Sequence, residues 1–421
     1  MLSLRSPIRD KRNIESLLER AGIPIGTDER GAVKFHDERA FSSIIGSDTV
    51  GLIESYMAGW WDSTDLALTL EKGIRARLEN TMGIFTNPGR LLSIILSKAT
   101  NRQTKSKSLQ VASDHYDLGN NFYGAMLGPT RQYTCARFIT GEETLDEAQL
   151  AKMDLVSKKA NLQSGDKVLE MGNGWGMLSK HIAEQYGVTV DAYNLSKEQV
   201  DYGRSINGKN VKINHQDYRD STGRFDKVIS VGMLEHVGPK NYRRLFETLD
   251  RLIPEKGLVI LHSITSNNQL VRVSRGFDKY IFAGGVTPAV FSVRKAAEGI
   301  FDEEDVHNSL WEFNGTPKNY IPSQDSDVSS NPSMQYSPTL KFWHDNFQTT
   351  YPEFKDEAGE IFVNKFGTIY PGDLSDPSTT FQRMEEYYLL ASKAAFDSGN
   401  IHLTQFVFSK GYKPGEYEIV R

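Results

Sequence analysis

The rhythm of apolar and polar positions changes near residue 110. Before it, apolar residues recur at helical spacing over 13–21, 49–61 and 65–78, and the first of these runs stops near Gly22. A further run, 89–107, starts apolar (Leu91, Leu92, Ile94, Ile95, Leu96) and ends basic (Lys98, Arg102, Lys105, Lys107). A periodicity of about 3.6 residues, broken at glycine, marks separate helices. Residues 1–108 are therefore expected to form a small helical N-terminal domain. Beyond it, strand-like runs at 167–171, 189–193, 211–214, 227–231 and 258–262 alternate with helical patterns at 178–186, 197–206 and 242–252. Such alternation predicts an α/β fold with a parallel, doubly wound sheet, whose ligands lie at the carboxyl ends of the strands. The loops after residues 171, 193, 231 and 262 should then converge on one cleft. Residues 378–395 read as a long helix and 402–410 as a final edge strand. The Pro-, Ser- and Asn-rich stretch at about 309–335 reads as a variable loop or lid.

The first strand runs into Gly172-Asn-Gly-Trp-Gly176. Glycines between a strand and a helix let backbone approach a nucleotide closely. The G-x-G-x-G spacing suits the methionine-nucleoside portion of S-adenosylmethionine better than a pyrophosphate. Asn194 follows Gly174 at about the 20-residue interval at which a ribose-binding group is expected, and Gln199 lies one helical turn on. Asn194 and Ser196 equally fit a cap on the next helix. Asp217, after the third strand, fits either an acceptor for an adenine amino group or a solvated turn.

Composition narrows the setting. The 421 residues are 38% hydrophobic and 24% charged, with a net charge of -5, which opposes bulk nucleic-acid binding. The single cysteine, Cys135, rules out an internal disulfide and suits a reducing cytosol. No apolar signal core follows Met1, and the cluster at 91–96 is too short to cross a bilayer. Glu235-His236 could suggest a metal, but neighbours on a helix or strand point apart and no ligand-spaced cluster accompanies them. No metal is expected.

Several motifs together resemble the cyclopropane-fatty-acyl-phospholipid synthase family, which includes the mycolic acid cyclopropane synthases. They are His115-Tyr-Asp-Leu-Gly-Asn-Asn-Phe-Tyr123, Gln132-Tyr-Thr-Cys-Ala136, the glycine turn, Leu195-Ser-Lys-Glu-Gln199, Gln216-Asp-Tyr-Arg-Asp220, Val231-Gly-Met-Leu-Glu-His-Val-Gly-Pro-Lys-Asn-Tyr242, Leu261-His-Ser-Ile264, Tyr336-Ser-Pro-Thr-Leu340 and Gln405-Phe-Val-Phe-Ser409. The stretch Gly51-Leu-Ile-Glu-Ser-Tyr-Met-Ala-Gly-Trp-Trp61 resembles the helical domain of the phospholipid-acting branch. The resemblance implies a class I S-adenosylmethionine-dependent methyltransferase fold. It also implies methylene transfer to a cis double bond of a phospholipid acyl chain, through a carbocation deprotonated by bound bicarbonate. It places bicarbonate on Cys135, Glu235, His262, Ile264 (through backbone) and Tyr336. It places S-adenosylmethionine on Tyr133, Thr134, Gly172, Gly174, Asn194 and Gln199, with Asp217 a further adenine candidate. A cytoplasmic enzyme at the inner face of the membrane, dimeric through its N-terminal domain, is the expected setting.

That chemistry suits these residue types. An alkene is a weak nucleophile and needs a dry pocket with the methyl donor held in line. Aromatic faces stabilise a cation, and His262, Tyr336 and Cys135 are donors while Glu235 is an acceptor. Alone, Cys135 reads as a small buried hydrophobe, His262 as a structural histidine and Tyr336 as a packing aromatic; their joint occurrence at the motif positions favours the site. The 91–107 segment fits a membrane-surface helix or an ordinary core helix with a solvated linker. Tyr56, Trp60 and Trp61 are expected in the core.

Three departures from the family pattern stand out. Asn173 replaces the usual Cys in a turn expected to work through its backbone. Arg137 stands where an aromatic residue is usual, near the reacting centre. The 309–335 segment is longer than in typical relatives. Arg137 and the long segment leave open a related enzyme acting on a non-phospholipid acceptor.

Overall fold

The computed structural model describes residues 7–78, 119–266, 271–282, 284–308, 335–367 and 376–421. The expectations for 89–107 and for most of 309–335 lie outside the described residues. The N-terminal unit comprises α1 (Pro7–Arg20), β1 (Val33–Phe35), α2 (Arg39–Ser47), α3 (Thr49–Met57), β2 (Trp61–Ser63) and α4 (Leu66–Arg75). The three helices expected here are present. The second is shorter than expected, because the chain turns at Gly59 (φ 68°) and Trp61 joins β2, antiparallel to β1. Tyr56, Trp60 and Trp61 are buried in the core, with Trp61 Nε1 donating to Ser55 Oγ at 3.0 Å.

The larger unit begins with α5 (Gly119–Leu127) and α6 (Leu145–Lys159). A reciprocal capping box between Thr144 and Glu147 starts α6. Then follow β3 (Lys167–Met171), α7 (Met177–Tyr186), β4 (Thr189–Asn194), α8 (Lys197–Ile206), β5 (Val211–His215), β6 (Lys227–Val231), α9 (Tyr242–Leu252) and β7 (Leu258–Thr265). The chain continues through β8 (Val271–Arg272), α10 (Arg275–Tyr280), β9 (Val286–Thr287), α11 (Val290–Ala297), β10 (Asp302–Asn308), α12 (Tyr336–Phe366), α13 (Pro377–Asp397) and β11 (His402–Ser409).

The main sheet has the order β10-β11-β7-β6-β3-β4-β5. Its segment β5-β4-β3-β6-β7 is parallel throughout, as the sequence pattern predicts. Both faces are covered, so Val168, Leu169, Val228, Ile229, Val259 and Ile260 are all buried. One expectation is corrected. β11 is not an edge: it runs antiparallel between β7 and β10. The sequence of β10, Asp-Glu-Glu-Asp-Val-His-Asn, lacks strand propensity. It is held by tertiary charge pairing, since Asp305 is buried against Lys159 Nζ (3.3 Å) and Arg421 Nη1 (2.6 Å). Among the described residues no helix is long and apolar enough to cross a membrane.

The N-terminal unit is fastened to α13. Arg383 lies over the Tyr56 ring at 4.0 Å and donates to Tyr56 O (2.5 Å), Trp61 O (3.0 Å) and Asp62 Oδ1 (2.6 Å). Tyr56 donates its hydroxyl to Glu386 at 2.9 Å, and Arg75 Nη2 donates to Asp397 O at 2.6 Å. Removing the guanidinium deletes three hydrogen bonds to the N-terminal unit and the stacking on Tyr56. Arg383→Ala is expected to cost about 1–3 kcal/mol, read as a lower midpoint in chemical denaturation with the N-terminal unit releasing first.

Candidate active site

The sheet grows one way from β3 through β4 to β5 and the other way from β6 through β7. Where the direction reverses, the carboxyl ends of β3 and β6 open on a cleft. A cavity of about 570 Å³ lies there, lined by Gly172, Asn194, Gly232 and His262 from the four strand ends that the sequence points to. It continues along Leu17, Leu52 and Ile74 of the N-terminal helices.

The glycine turn forms one wall. Gly172, Gly174 and Gly176 take φ of 73°, 50° and 83°, and a side chain on Gly176 would press into Gly203 of α8 and Asn207 at its end. Asn194 Nδ2 donates to Gly174 O (3.1 Å) and to Gln199 Oε1 (2.9 Å), while Asn194 Oδ1 accepts from Leu195 N and Ser196 N. Asn194 therefore ties the turn to the start of α8 as well as facing the cavity, and Ser196 caps that helix. Asp217 is a turn residue but not a solvated one. It is 5% exposed, and both its oxygens are engaged by Arg219, at 2.8 and 2.5 Å.

Residues 132–134 form the facing strap. Gln149 Nε2 donates to Thr134 O (2.8 Å), and Lys152 Nζ donates to Gln132 Oε1 and Thr134 Oγ1, both at 2.7 Å. Lys152 is 1% exposed, and burial pulls its ammonium down to about 7. The strap leans on the turn after β6: a Cβ on Gly232 would meet Thr134 Cγ2 at 2.6 Å. Tyr133 and Thr134 line the cavity, but Cys135 lies behind its wall. The Cys135 thiol is fully buried, donates to Ala136 O at 3.3 Å and is pushed up to about 12 by burial, so it stays protonated.

Glu235, His262, Ile264 and Tyr336 all line the cavity. Glu235 Oε1 accepts from Ile264 N at 2.7 Å, so the Ile264 amide anchors the carboxyl group. Burial raises Glu235 to about 7. Gln405 Nε2 donates to His262 Nδ1 at 3.0 Å, which places the imidazole proton on Nε2. Burial and the charges of Lys152 and Lys159 hold His262 well below the ordinary histidine range, so the ring is neutral. Glu235 Oε2 and His262 Nε2 are both buried without a partner. Gln199 Nε2 and both amide atoms of Asn173 are in the same condition, and those residues also line the cavity. Buried polar atoms are normally paired, so this grouping marks a place for a polar ligand. Aromatic rings surround it: Tyr133 meets Trp343 at 5.2 Å, and Tyr336 stacks on Phe396 at 4.2 Å.

His236 lines the cavity beside Glu235, because residues 234–236 form a 3-10 turn rather than an α-helix or strand. Among the described residues no three His, Cys, Asp or Glu side chains are grouped to hold a metal. Arg137 is not on the cavity wall; its backbone N–H bonds Ala148 O at 2.9 Å. Lys152, Gln405 and the Asn173 side chain were not singled out as site residues from sequence. The only signal for Lys152 was a charge on the face of α6 that also carries buried Gln149, Met153 and Val156.

Residues 103–320 match the model of the mycolic acid cyclopropane synthetase family. Over 405 residues the chain is 34% identical to the cyclopropane-fatty-acyl-phospholipid synthase of Escherichia coli strain K12, covering 96% of this chain and 94% of that protein. This chain belongs to the family. Its fold is shared by the cyclopropane synthase MmaA2 from Mycobacterium tuberculosis (TM-score 0.57, 23% identity, 72% of this chain and 98% of that one). It is shared also by the mycolic acid cyclopropane synthase CmaA1 complexed with SAH and CTAB (TM-score 0.56, 25% identity, 72% and 98%). The chain is thus a class I S-adenosylmethionine-dependent methyltransferase of the cyclopropane-synthase type. Its glycine turn and the orphaned Gln199 Nε2 fit that cofactor.

The strap and the β6 turn leave no room for a side chain at residue 232. Gly232→Ala adds that clash to the cost of a left-handed backbone (φ 74°). It is expected to weaken S-adenosylhomocysteine binding about tenfold, measured by calorimetry.

Proposed function

We propose that this enzyme transfers a methylene group from S-adenosylmethionine to a cis double bond in an acyl chain of a membrane phospholipid, forming a cyclopropane ring. The observation that carries the reading is the pair of unpartnered atoms Glu235 Oε2 and His262 Nε2, buried in a cavity walled by aromatic rings. Bound S-adenosylmethionine supplies an electrophilic methyl group, and the alkene that takes it up becomes a carbocation that must lose a proton for the ring to close. The faces of Tyr133, Tyr336 and Trp343 would stabilise that cation, and an apolar lining would disfavour the water that would trap it.

The proton needs a small base beside the cation, and bicarbonate fits the orphaned pair. His262 Nε2–H would donate to an anionic oxygen, and Glu235 Oε2 would accept from the hydroxyl. The Ile264 amide and the Gln405 side chain fix these two groups rather than touching the ion. Tyr336 supplies a further hydroxyl on the wall, and burial keeps it protonated. Cys135, turned to the Ala136 carbonyl, acts as packing behind the strap. A phospholipid acyl chain remains in its bilayer, so the enzyme would work peripherally at a membrane surface. The phospholipid substrate of the Escherichia coli relative and the apolar lining from Leu17, Leu52 and Ile74 support the lipid assignment.

The test is to incubate the protein, S-adenosylmethionine and bicarbonate with vesicles of cis-unsaturated phospholipid and to analyse the acyl chains by mass spectrometry. Gain of one methylene with loss of the alkene is expected; no gain on any phospholipid would sink the reading and direct the search to soluble or carrier-bound acceptors. Glu235→Gln is expected to lower turnover by about 100-fold or more while S-adenosylhomocysteine binding persists. With bicarbonate held constant, the wild-type rate should rise with pH as Glu235 ionises at about 7. Below that value the carboxyl is protonated and is no longer free to accept from a hydroxyl, so the variant should lack this dependence.

A further inference from the structure

A second, smaller cavity is lined by residues of α5, α10, α12 and α13. It measures about 50 Å³, room for one or two water-sized groups. Its walls are aromatic, with Tyr123, Tyr133, Tyr280, Phe282, Phe366 and Tyr388 among the lining residues. Tyr280 meets Phe366 at 5.1 Å, and Phe282 meets Tyr388 edge-on at 5.4 Å. One carboxyl group lines the same space. Glu385 is 7% exposed, and among the described residues it forms no hydrogen bond. Burial raises it to about 7, even against the attraction of Lys365. Hydroxyls in the box are directed elsewhere: Tyr133 donates to Tyr388 at 2.8 Å and Tyr280 to Glu54 at 2.6 Å.

These features select a cation. A buried carboxylate without a partner is stabilised by a positive charge, and aromatic faces attract the same charge. The volume selects the kind of cation. It takes a primary ammonium with the carbon that bears it, whereas the three methyl groups of a choline head would not fit. The rim adds the opposite preference. Lys365 also lines this cavity, is exposed to solvent and holds its ammonium 5.4 Å from the Phe366 ring. An acid within and a lysine at the rim match, in order, the ammonium and the phosphate of phosphoethanolamine, which two carbons separate. Tyr133, Phe282 and Tyr388 line both this cavity and the larger one, so one layer of side chains divides the two.

We propose that the Glu385 cavity binds the ammonium of a phosphoethanolamine group, with Lys365 on its phosphate, and that this group is the head of the phospholipid substrate. The headgroup assignment rests on the phospholipid reading above. Vesicles that mix phosphatidylethanolamine and phosphatidylcholine with the same cis-unsaturated chains offer both heads at one surface. Mass spectrometry of the products is expected to show about tenfold preference for the ethanolamine lipid, falling to near parity in Glu385→Gln. Calorimetry with glycerophosphoethanolamine tests the site apart from turnover. Glu385→Gln should weaken that binding about tenfold. Lys365→Met, at an exposed position, should weaken it roughly threefold without weakening the binding of ethylammonium, which has no phosphate. Unchanged binding in both variants, or a lipid preference that Glu385→Gln does not move, would overturn the cavity as the ammonium site and leave the phospholipid reading intact. Equal use of the two lipids by the wild type, with glycerophosphoethanolamine binding still dependent on Glu385, would overturn the lipid head as occupant in favour of a free phosphoethanolamine compound. Ring formation on neither lipid would overturn the phospholipid reading, and the headgroup assignment with it.

Discussion

The parallel pairing of β3 with β6, from Val168 opposite Lys227 to Met171 opposite Ser230, is the contact on which the site depends. Strands are added outward on both sides of it, so the crossover helices leave in opposite directions and a crevice opens at the two carboxyl ends between them. Gly172 and Gly232 sit at those ends, both with left-handed backbone. Their missing side chains admit the Met233 side chain on one hand and the Thr134 methyl on the other. The cleft is thus a consequence of sheet topology, and its narrowness a consequence of two glycines.

Several polar atoms on the cavity surface are unpartnered, although the residues that bear them are held from behind. Lys152 satisfies Gln132 and Thr134, the Ile264 amide satisfies one oxygen of Glu235, and Gln405 satisfies one nitrogen of His262. In each of the last two cases the supported group keeps its other atom unpartnered toward the cavity. The supporting bonds restrict rotation, so the free atoms hold one direction. Leaving such atoms unpaired opposes stability and is tolerated where a ligand completes them. The N-terminal unit belongs to the same arrangement. Arg383 ties it to α13, and its apolar helices supply part of the cavity lining, continuous with the polar end.

Periodicity and motif spacing carried the parallel strands, the helices between them and the four loops that meet at the cleft. These signals are local, since a strand buried on both faces or a helix with one apolar stripe records its environment along a few turns of chain. Elements held by distant partners were not legible in the same way. The acidic β10 is a strand because Lys159 and Arg421 neutralise Asp305 and because β11 lies open beside it. Lys152 reads as one more surface charge until α6 is packed under the strap.

The same division runs through the site. Glu235, His262, Ile264 and Tyr336 were recognisable because each sits in a motif, and the structure brings them to one cavity. Cys135 falls just behind the wall and Arg137 away from it, although both neighbour the strap in sequence. Residue type and spacing thus determined the five parallel strands and the glycine turn, and the motifs supplied the chemical inventory through the family resemblance. Which of those groups end up paired, and which are left facing the cavity as Asn173 is, was decided only by tertiary structure, because hydrogen-bond satisfaction depends on partners far away in the chain.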